Sequence, residues 1–457
     1  MGVRSVLALG VSLMITGSVL ASEPAVETDL TEDFLQVLNG NGTQRMDALE
    51  RIRDLGDVSA VPGLIQTTRF LRGPQLELAM ETLTELTGEA AAYNWHTWML
   101  WQQANPQIEP FEGFEEFKAR VYRQIDPNFG LFLYRDVAHD IRIEEIAWGG
   151  VIKDGIPALT NPELIPADEA DYVRDSELVF GVSINGDVRA YPLRIMDWHE
   201  MFNDVIGGVP VSLAYCTLCG SGILFETTVE GRDTPFVFGS SGFLYRSNKL
   251  MYDTETHSLW NQFTGEPVVG TLTGSGIELN TRPVVITTWE EWREKHPDTQ
   301  VLSLDTGYAR DYTPGRPYGR YFASPNLMFP ALVEDQALEP KDYVFALRSS
   351  GTEKAWRLTD FRDGQVINDR AGVLDIVLIG DTSIRTVRAY RADERDFDKG
   401  EDLSTLLSEG ETWTVTEEAL VGPDGTELAR LPGHIAYWFA WSGYLGEDGE
   451  LASAEQN

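Results

Sequence analysis

The chain has 457 residues, of which 42% are hydrophobic and 11% aromatic, so it can bury several cores and its length predicts two to four domains. Lysine and arginine total 36 against 72 aspartates and glutamates, which gives a formal net charge of −36. Such an acidic surface repels phosphate backbones and anionic lipids, so the composition argues against nucleic-acid binding.

The first 21 residues have the layout of a secretory signal peptide. Arg4 precedes an apolar stretch from Val6 to Ile15, and small residues follow up to Ala21. The pattern predicts cleavage after Ala21 and a periplasmic or secreted protein. The apolar stretch is shorter than the roughly 20 residues of a membrane span, and no other segment approaches that length, so no span is predicted.

Residues 40–125 are predicted to be helical. The segments 46–56 and 78–88 contain matching residues that lie 31 positions apart, with Ala48 falling on Ala79. Helical pairs that repeat in this way form solenoids, and the region resembles a short HEAT-type repeat. Fewer than the roughly three repeats needed for independent stability are visible, so we expect the region to pack on the residues C-terminal to it.

Two later blocks of sequence occur twice. Residues 177–226 match 342–391 at an offset of 165, and residues 276–292 match 425–441 at an offset of 149. Because the blocks keep their order, we interpret them as a duplication of one α+β unit. The predicted boundaries are 140–303 for the first unit, 304–341 for a connector and 342–452 for a second, degenerate unit.

The first unit opens with a predicted hairpin and helix. Strands over 178–191 turn at Asn185-Gly186, a strong signal for a two-residue turn. Pro192 then begins a helix, where its missing N–H costs nothing, and the apolar periodicity extends that helix to Phe202.

A strand over 209–215 runs directly into Cys216, and further strands are predicted over 222–229 and 234–238. Helices alternate with strands too rarely for a doubly wound sheet. The predicted fold class is therefore α+β, strand-rich, with tandem duplicated units after a small all-α region.

Cys216 and Cys219 are the only cysteines of the chain, and they form a C-x-x-C pair. The second unit keeps residues that the fold needs. Several polar residues of the first unit, including this pair, are replaced in the second. Residues that only one copy retains are candidates for chemistry. The four positions, each with its replacement in the second unit, are Cys216 (Asp381), Cys219 (Ile384), His199 (Gly364) and Glu200 (Gln365).

Residues 140–303 resemble an uncharacterised bacterial family, a domain of unknown function. The resemblance rests on the signatures D-W-H-E at 197–200 and Y-C-T-L-C at 215–219, and on longer segments around them. Thr217 stands where members of the family usually have proline. The family has no established activity, so the resemblance implies where a site lies and not what it does.

Three hypotheses fit the cysteine pair. Two thiolates and the imidazole of His199, with Glu200, Met251 or His257 as a fourth ligand, predict a copper or zinc site for metal handling or electron transfer. C-x-x-C also suits a thiol–disulfide redox protein. The third is a plain disulfide in a binding module that holds an exported partner against the helical region or the cleft between units. The sequence leaves open whether the protein is an enzyme.

Overall fold

The computed structural model describes residues 30–90, 94–349, 351–445 and 449–453. The predicted signal peptide lies outside these residues. An N-terminal group of helices precedes several sheets, which confirms the α+β fold class. Across the described ranges, each helix is too short or too polar to cross a membrane.

Six α-helices form the N-terminal region, and they begin and end where capping residues stand. Asn41 accepts a hydrogen bond from the Gln44 backbone N–H (3.1 Å), and the Gln44 side chain accepts from the Asn41 N–H (2.9 Å). This capping box starts the second helix, and Gly56 ends it in a left-handed conformation. The helices are α1 Leu30–Asn39, α2 Gly42–Leu55, α3 Val61–Thr68, α4 Pro74–Thr87, α5 Trp95–Ala104 and α6 Phe114–Arg123.

The two matching segments of the sequence lie in α2 and α4. Both helices begin about one turn earlier than the matching segments, at the Asn41 cap and at Pro74. Proline is favoured in the first turn of a helix because its missing N–H would have no partner there.

The first unit contains fifteen described strands and two helices. Its helices are α7 Leu193–His199 and α8 Trp289–Lys295. Its strands are β1 Ile146–Trp148, β2 Leu159–Thr160, β3 Leu164–Pro166, β4 Leu178–Ile184, β5 Asp187–Pro192, β6 Met201–Ile206, β7 Val209–Cys216, β8 Ser221–Glu226, β9 Phe238–Tyr245, β10 Asn248–Asp253, β11 Leu259–Asn261, β12 Pro267–Val269, β13 Thr281–Arg282, β14 Val285–Thr288 and β15 Gln300–Leu302.

The connector contains the short helix α9 Gly319–Phe322, and the second unit contains twelve described strands and the helix α10 Trp438–Leu445. The strands are β16 Tyr343–Ser349, β17 Thr352–Arg357, β18 Gln365–Ala371, β19 Leu374–Asp381, β20 Thr386–Arg391, β21 Asp398–Lys399, β22 Thr405–Ser408, β23 Glu411–Val415, β24 Ala419–Val421, β25 Glu427–Leu431, β26 His434–Tyr437 and β27 Glu450–Leu451.

The two units pair their strands in the same order. The sheet β14-β4-β5-β15 corresponds to β26-β16-β17-β27, and β6-β7-β8-β13 corresponds to β18-β19-β20-β25. The registers also agree: Leu224 lies opposite Arg282, and the equivalent Ala389 lies opposite Leu431. Shared order and shared register support the interpretation of a duplication.

The hairpin and the strand before Cys216 are confirmed. Asn185 and Gly186 both have positive φ angles, 53° and 79°, as a two-residue turn of this type requires. The helix after Pro192 was predicted too long: it ends at His199, because Glu200 adopts a left-handed conformation and the chain continues as β6.

Two further strands are shifted from their predicted positions. The strand predicted over 222–229 is β8 and ends at Glu226. The strand predicted over 234–238 is largely loop, and β9 begins where that prediction ended. Gly231 has a positive φ angle in this loop, which marks a turn between the two strands.

The N-terminal helices pack on a third sheet of the first unit, β1-β9-β10-β11-β12. Tyr122 of α6 lies 5.1 Å from the Phe243 ring of β9, measured between ring centroids. The buried ammonium of Lys118 donates a hydrogen bond to the Ile143 carbonyl (2.6 Å). Helices and sheet therefore share one continuous core.

The units also contact each other reciprocally. Strand β8 of the first unit packs against β26 of the second, and the equivalent strand β20 packs against β14. This exchange of equivalent contacts indicates a pseudo-twofold relation between the units. The ends of β7–β8 and β19–β20 consequently lie near the boundary between them.

Candidate functional site: the C-x-x-C turn

Cys216 and Cys219 form the turn that joins β7 to β8. Cys216 ends β7 and pairs with Ser221 at the start of β8, and the Cys219 N–H donates a hydrogen bond to the Cys216 carbonyl (3.1 Å). The two cysteines are joined by a disulfide, with their Cα atoms 5.2 Å apart. Both residues are buried, at 2% and 0% exposure. The cysteine pair is therefore oxidised and shielded from solvent.

The second unit builds the same turn without cysteines. Arg385 occupies the position of Gly220, and both have left-handed φ angles, 52° and 61°. Asp381, at the position of Cys216, accepts a hydrogen bond from the Ser383 N–H (2.7 Å). The turn conformation therefore does not depend on a disulfide.

Glu200 lies beside the C-x-x-C turn because β6 and β7 are antiparallel. Its backbone carbonyl accepts from the Tyr215 N–H (2.7 Å), and its Oε1 accepts from the Thr217 hydroxyl (2.9 Å). Lys249 Nζ contacts Glu200 Oε2 at 2.7 Å, and the Tyr318 hydroxyl donates to Oε1 (3.2 Å). Both charged side chains are buried, so each depends on the other for compensation.

His199 faces the connector with both ring nitrogens engaged. Nδ1 lies 2.8 Å from the Pro157 carbonyl oxygen, and Nε2 lies 2.6 Å from the Tyr312 hydroxyl. Burial lowers the pKa of His199, against the hydrogen bond to Pro157. The neutral ring therefore connects α7 to the segments that contain Pro157 and Tyr312.

The structure thus divides the four predicted metal ligands. Glu200 lies beside the turn that contains Cys216 and Cys219. The ring of His199 is instead held by Pro157 and Tyr312. Among the described residues, no three histidine, cysteine or acidic side chains form a ready-made metal site. Since oxidised sulfurs cannot act as thiolate ligands, the metal hypothesis concerns the reduced protein.

The connector covers the turn. The Tyr321 hydroxyl donates to the Leu218 carbonyl (2.6 Å), and the Tyr437 N–H of β26 donates to the Cys219 carbonyl (2.8 Å). A Cβ at Gly220 would lie 3.1 Å from the rings of Tyr343 and Tyr437, so glycine permits this close approach of the second unit. The turn is therefore enclosed by the connector and the second unit.

The sequence did not single out Asp197 or Lys249. Asp197 accepts a hydrogen bond from the Tyr215 hydroxyl (3.1 Å); burial raises the pKa of Asp197 to about 7, and Glu200 adds to the shift. Its equivalent in the second unit is Arg362, so the comparison of the two copies would have found it. Lys249 has no such signal, because it lies outside the matched blocks.

No curated protein and no solved structure matches this chain. A family model described as a protein of unknown function (DUF3179) matches residues 153–448, which include most of both units and the whole connector. The sequence signatures lie in the first unit, and the family match extends beyond that unit. The chain belongs to the DUF3179 family of proteins of unknown function.

Proposed function

We propose that this is an exported thiol–disulfide redox protein that cycles the Cys216–Cys219 pair between disulfide and dithiol. One observation carries the proposal: the protein contains two copies of the same turn, and only one copy has the disulfide. Because the second copy folds without a cross-link, the first does not need its disulfide to form the turn. A short loop also gains little stability from cross-linking.

The surroundings of the pair are compatible with a reduced state. Cys219 Sγ lies 3.8 Å from the Ser247 carbonyl oxygen, so a reduced thiol at this position has a hydrogen-bond acceptor. Reduction therefore does not leave the Cys219 donor unsatisfied. The neighbouring Glu200–Lys249 pair is neutral as a whole and stays compensated in both states.

The exchange reaction balances with a partner dithiol. A partner thiolate attacks one sulfur, the S–S bond breaks and a mixed disulfide forms. The second partner thiolate then displaces this protein's cysteine. Two thiols remain here, and one disulfide forms on the partner, with two electrons and two protons transferred. Because both sulfurs are buried, the partner has to displace the connector around α9 first.

We expect native reduction to be reversible. Treating the folded protein with dithiothreitol and then a thiol-alkylating reagent adds two labels by mass spectrometry, while the far-ultraviolet circular dichroism stays unchanged. A second reduced sample, reoxidised in air or with oxidised glutathione before alkylation, should take up no label. Burial under the connector should make labelling slower than that of an exposed C-x-x-C peptide.

The control is the double variant Cys216→Ser/Cys219→Ser, which should fold and take up no label. Two results contradict the proposal: labels that enter only after denaturation, or a reduced protein that loses its native spectrum. Either would instead assign the cysteines a structural role in a binding module.

The copper or zinc hypothesis remains a second candidate, because the Glu200 carboxylate accepts a hydrogen bond from Thr217, which lies between the two cysteines in the sequence. Glu200 is also ion-paired with Lys249, so metal binding requires the carboxylate to leave that pair. Two thiolates with a carboxylate are a reasonable donor set for zinc, and thiolates suit copper(I). We expect reduced protein, but not oxidised protein, to bind one ion per chain by elemental analysis after dialysis. Cys216→Ser should abolish binding, whereas His199→Gln tests the fourth predicted ligand. Less than stoichiometric metal on the reduced wild type overturns this candidate.

A further inference from the structure

A cleft of about 780 Å³ lies between the two units and next to the C-x-x-C turn. Residues from both units line it, and the equivalent turn positions Gly220 and Arg385 face each other across the boundary. The lining residues on which the argument depends are Asp197, Tyr215, Gly220, Tyr343, Arg385 and Tyr437.

One wall of the cleft is aromatic. The Tyr343 and Tyr437 rings lie 4.5 Å apart between centroids, and their hydroxyl groups are hydrogen-bonded at 3.0 Å. Pro314, Pro325 and Pro340 add apolar surface. A mostly apolar cleft with a few polar groups is the usual form of a site for a small organic molecule.

Arg385 supplies a positive charge at this wall. Its guanidinium carbon lies 4.3 Å from the Tyr343 ring centroid, which fixes the side chain over the ring. Among the described residues it has no carboxylate partner within salt-bridge distance, although the chain has 72 acidic residues. Arg388, three residues later, is by contrast ion-paired with Glu417 at 2.7 Å. Burial raises the pKa of Asp197, which lines the same cleft, and the charge of Arg385 opposes that rise. No carboxylate of the described residues forms an ion pair with Arg385, however, so its donors are available to a ligand.

We propose that the inter-unit cleft binds a small organic carboxylate, with the carboxylate on Arg385 and an apolar body against Tyr343 and Tyr437. Guanidinium groups match the planar geometry of a carboxylate and can donate two parallel hydrogen bonds. A phosphate carries more negative charge than a carboxylate and is disfavoured more strongly, because the acidic residues of the lining outnumber the basic ones. The acidic residues are Glu177, Asp197, Glu339 and Asp342, and the basic residues are Arg194, Lys341 and Arg385. This inference goes beyond the redox proposal and does not depend on it.

The test uses the full mature chain in its oxidised form and three probes: benzoate, phenylacetate and hexanoate. Binding is measured by ligand-observed NMR and isothermal titration calorimetry, with benzamide as the uncharged counterpart of benzoate and with inorganic phosphate as the alternative anion. We expect at least one carboxylate to bind, benzamide to bind at least about tenfold more weakly, and phosphate not to compete.

Arg385→Gln should weaken carboxylate binding by at least about tenfold, because a charged hydrogen-bonded pair is lost. The matched control is Arg395→Gln, whose guanidinium carbon also lies over an aromatic ring, 5.4 Å from the Trp413 centroid, but outside the cleft. The control variant should bind as the wild type does, which also shows that loss of one arginine charge is not the cause.

Several results would overturn the inference. The first is that none of the three carboxylates binds, and the second is that benzoate and benzamide bind equally well. The third is that phosphate competes, and the fourth is that Arg385→Gln and Arg395→Gln lose carboxylate affinity equally. Repeating the titration with Cys216→Ser/Cys219→Ser separates the two proposals. Carboxylate binding that persists in this variant supports the cleft even if the redox proposal fails.

Discussion

Replacing Glu417 by glutamine should destabilise the protein by about 3–5 kcal/mol. Glu417 is buried at 6% exposure between two arginines that are themselves buried, Arg388 and Arg430. It forms ion pairs with both of them. Burial alone would raise the pKa of Glu417, but the two guanidinium charges outweigh burial and hold it well below its ordinary value.

The expected size of the effect depends on the charges that remain after the substitution. A neutral amide leaves two guanidinium charges in the core with only one carboxylate nearby, since Glu291 contacts Arg388 at 3.5 Å. Uncompensated buried charges cost several kcal/mol because the interior cannot solvate them. These residues also join the units, because Glu291 belongs to the first and Arg388 to the second. Loss of the ion pairs around Glu417 should therefore weaken the contact between the two units as well.

Urea unfolding of Glu417→Gln followed by circular dichroism measures the change. The control is the neighbouring Glu418→Gln. Glu418 is exposed, and glutamine keeps an oxygen that can accept the long hydrogen bonds from Ser183 (3.3 Å) and Gly186 (3.4 Å), so this substitution should change stability by no more than about 0.5 kcal/mol. Equal effects of the two substitutions would mean that the buried cluster contributes no more than a surface charge does.

His434→Val should make the protein less sensitive to acid. His434 is buried at 6% exposure, and its Nε2 has no hydrogen-bond partner within the described part of the chain. Burial lowers the pKa of His434 from 6.5 to about 3, and the charge of Arg348 adds to this. Valine is the residue at the equivalent position of the first unit, where Val285 lies opposite Gly181 in the same register.

The direction of the change is set by proton binding in the two states. Between pH 6.5 and about 3 the unfolded chain protonates this histidine and the folded chain does not, so the wild type loses stability as the pH falls. The loss is about 1.4 kcal/mol for each pH unit. His434→Val removes this dependence. At pH 8 the variant should be slightly less stable than the wild type, because a smaller side chain leaves space in the core.

Urea unfolding at pH values from 8 to 4 checks the expectation. The stability of His434→Val relative to wild type should rise steadily below pH 6.5. His139→Gln serves as a control of opposite sign: the hydrogen bond to Glu115 raises the pKa of His139 above 6.5, so this substitution should cost stability mainly in acid. A constant difference between His434→Val and wild type at all pH values would show that His434 has the same pKa in the folded and unfolded chain, so that burial does not lower it.

Local features of the fold could be predicted because their causes are local. Asn185-Gly186 fixes a turn through the conformations that these two residues tolerate, and apolar runs identified the strand before Cys216. The end of α7 could not be predicted, because residues 200–202 continue the helical pattern. The chain leaves the helix there because pairing with β7 satisfies the backbone of β6, and that pairing depends on a strand that comes later.

The sequence indicated candidate residues for the site, but it did not predict how their side chains are arranged. Comparing the two copies selected Glu200 as a candidate for chemistry, and the structure places its side chain against Thr217 of the cysteine turn. The same comparison could not show that His199 is held by Pro157 and Tyr312, which lie 42 and 113 residues away in the chain. Tyr312 lies in the connector, which has no counterpart in a second copy. Pro157 lies in the first unit but outside the matched blocks, so the comparison could reveal neither contact.

The N-terminal helices share one core with the third sheet. The family match and the folding unit therefore begin at different residues. The family match begins at residue 153. Cooperative folding of the first unit begins much earlier, since β1 completes the edge of β9 and α6 covers Phe243. A fragment cut at the family boundary would expose an open strand edge and an apolar sheet face, both of which favour aggregation. We therefore expect the smallest piece of this protein that folds alone to include its helices, although the family match begins after them.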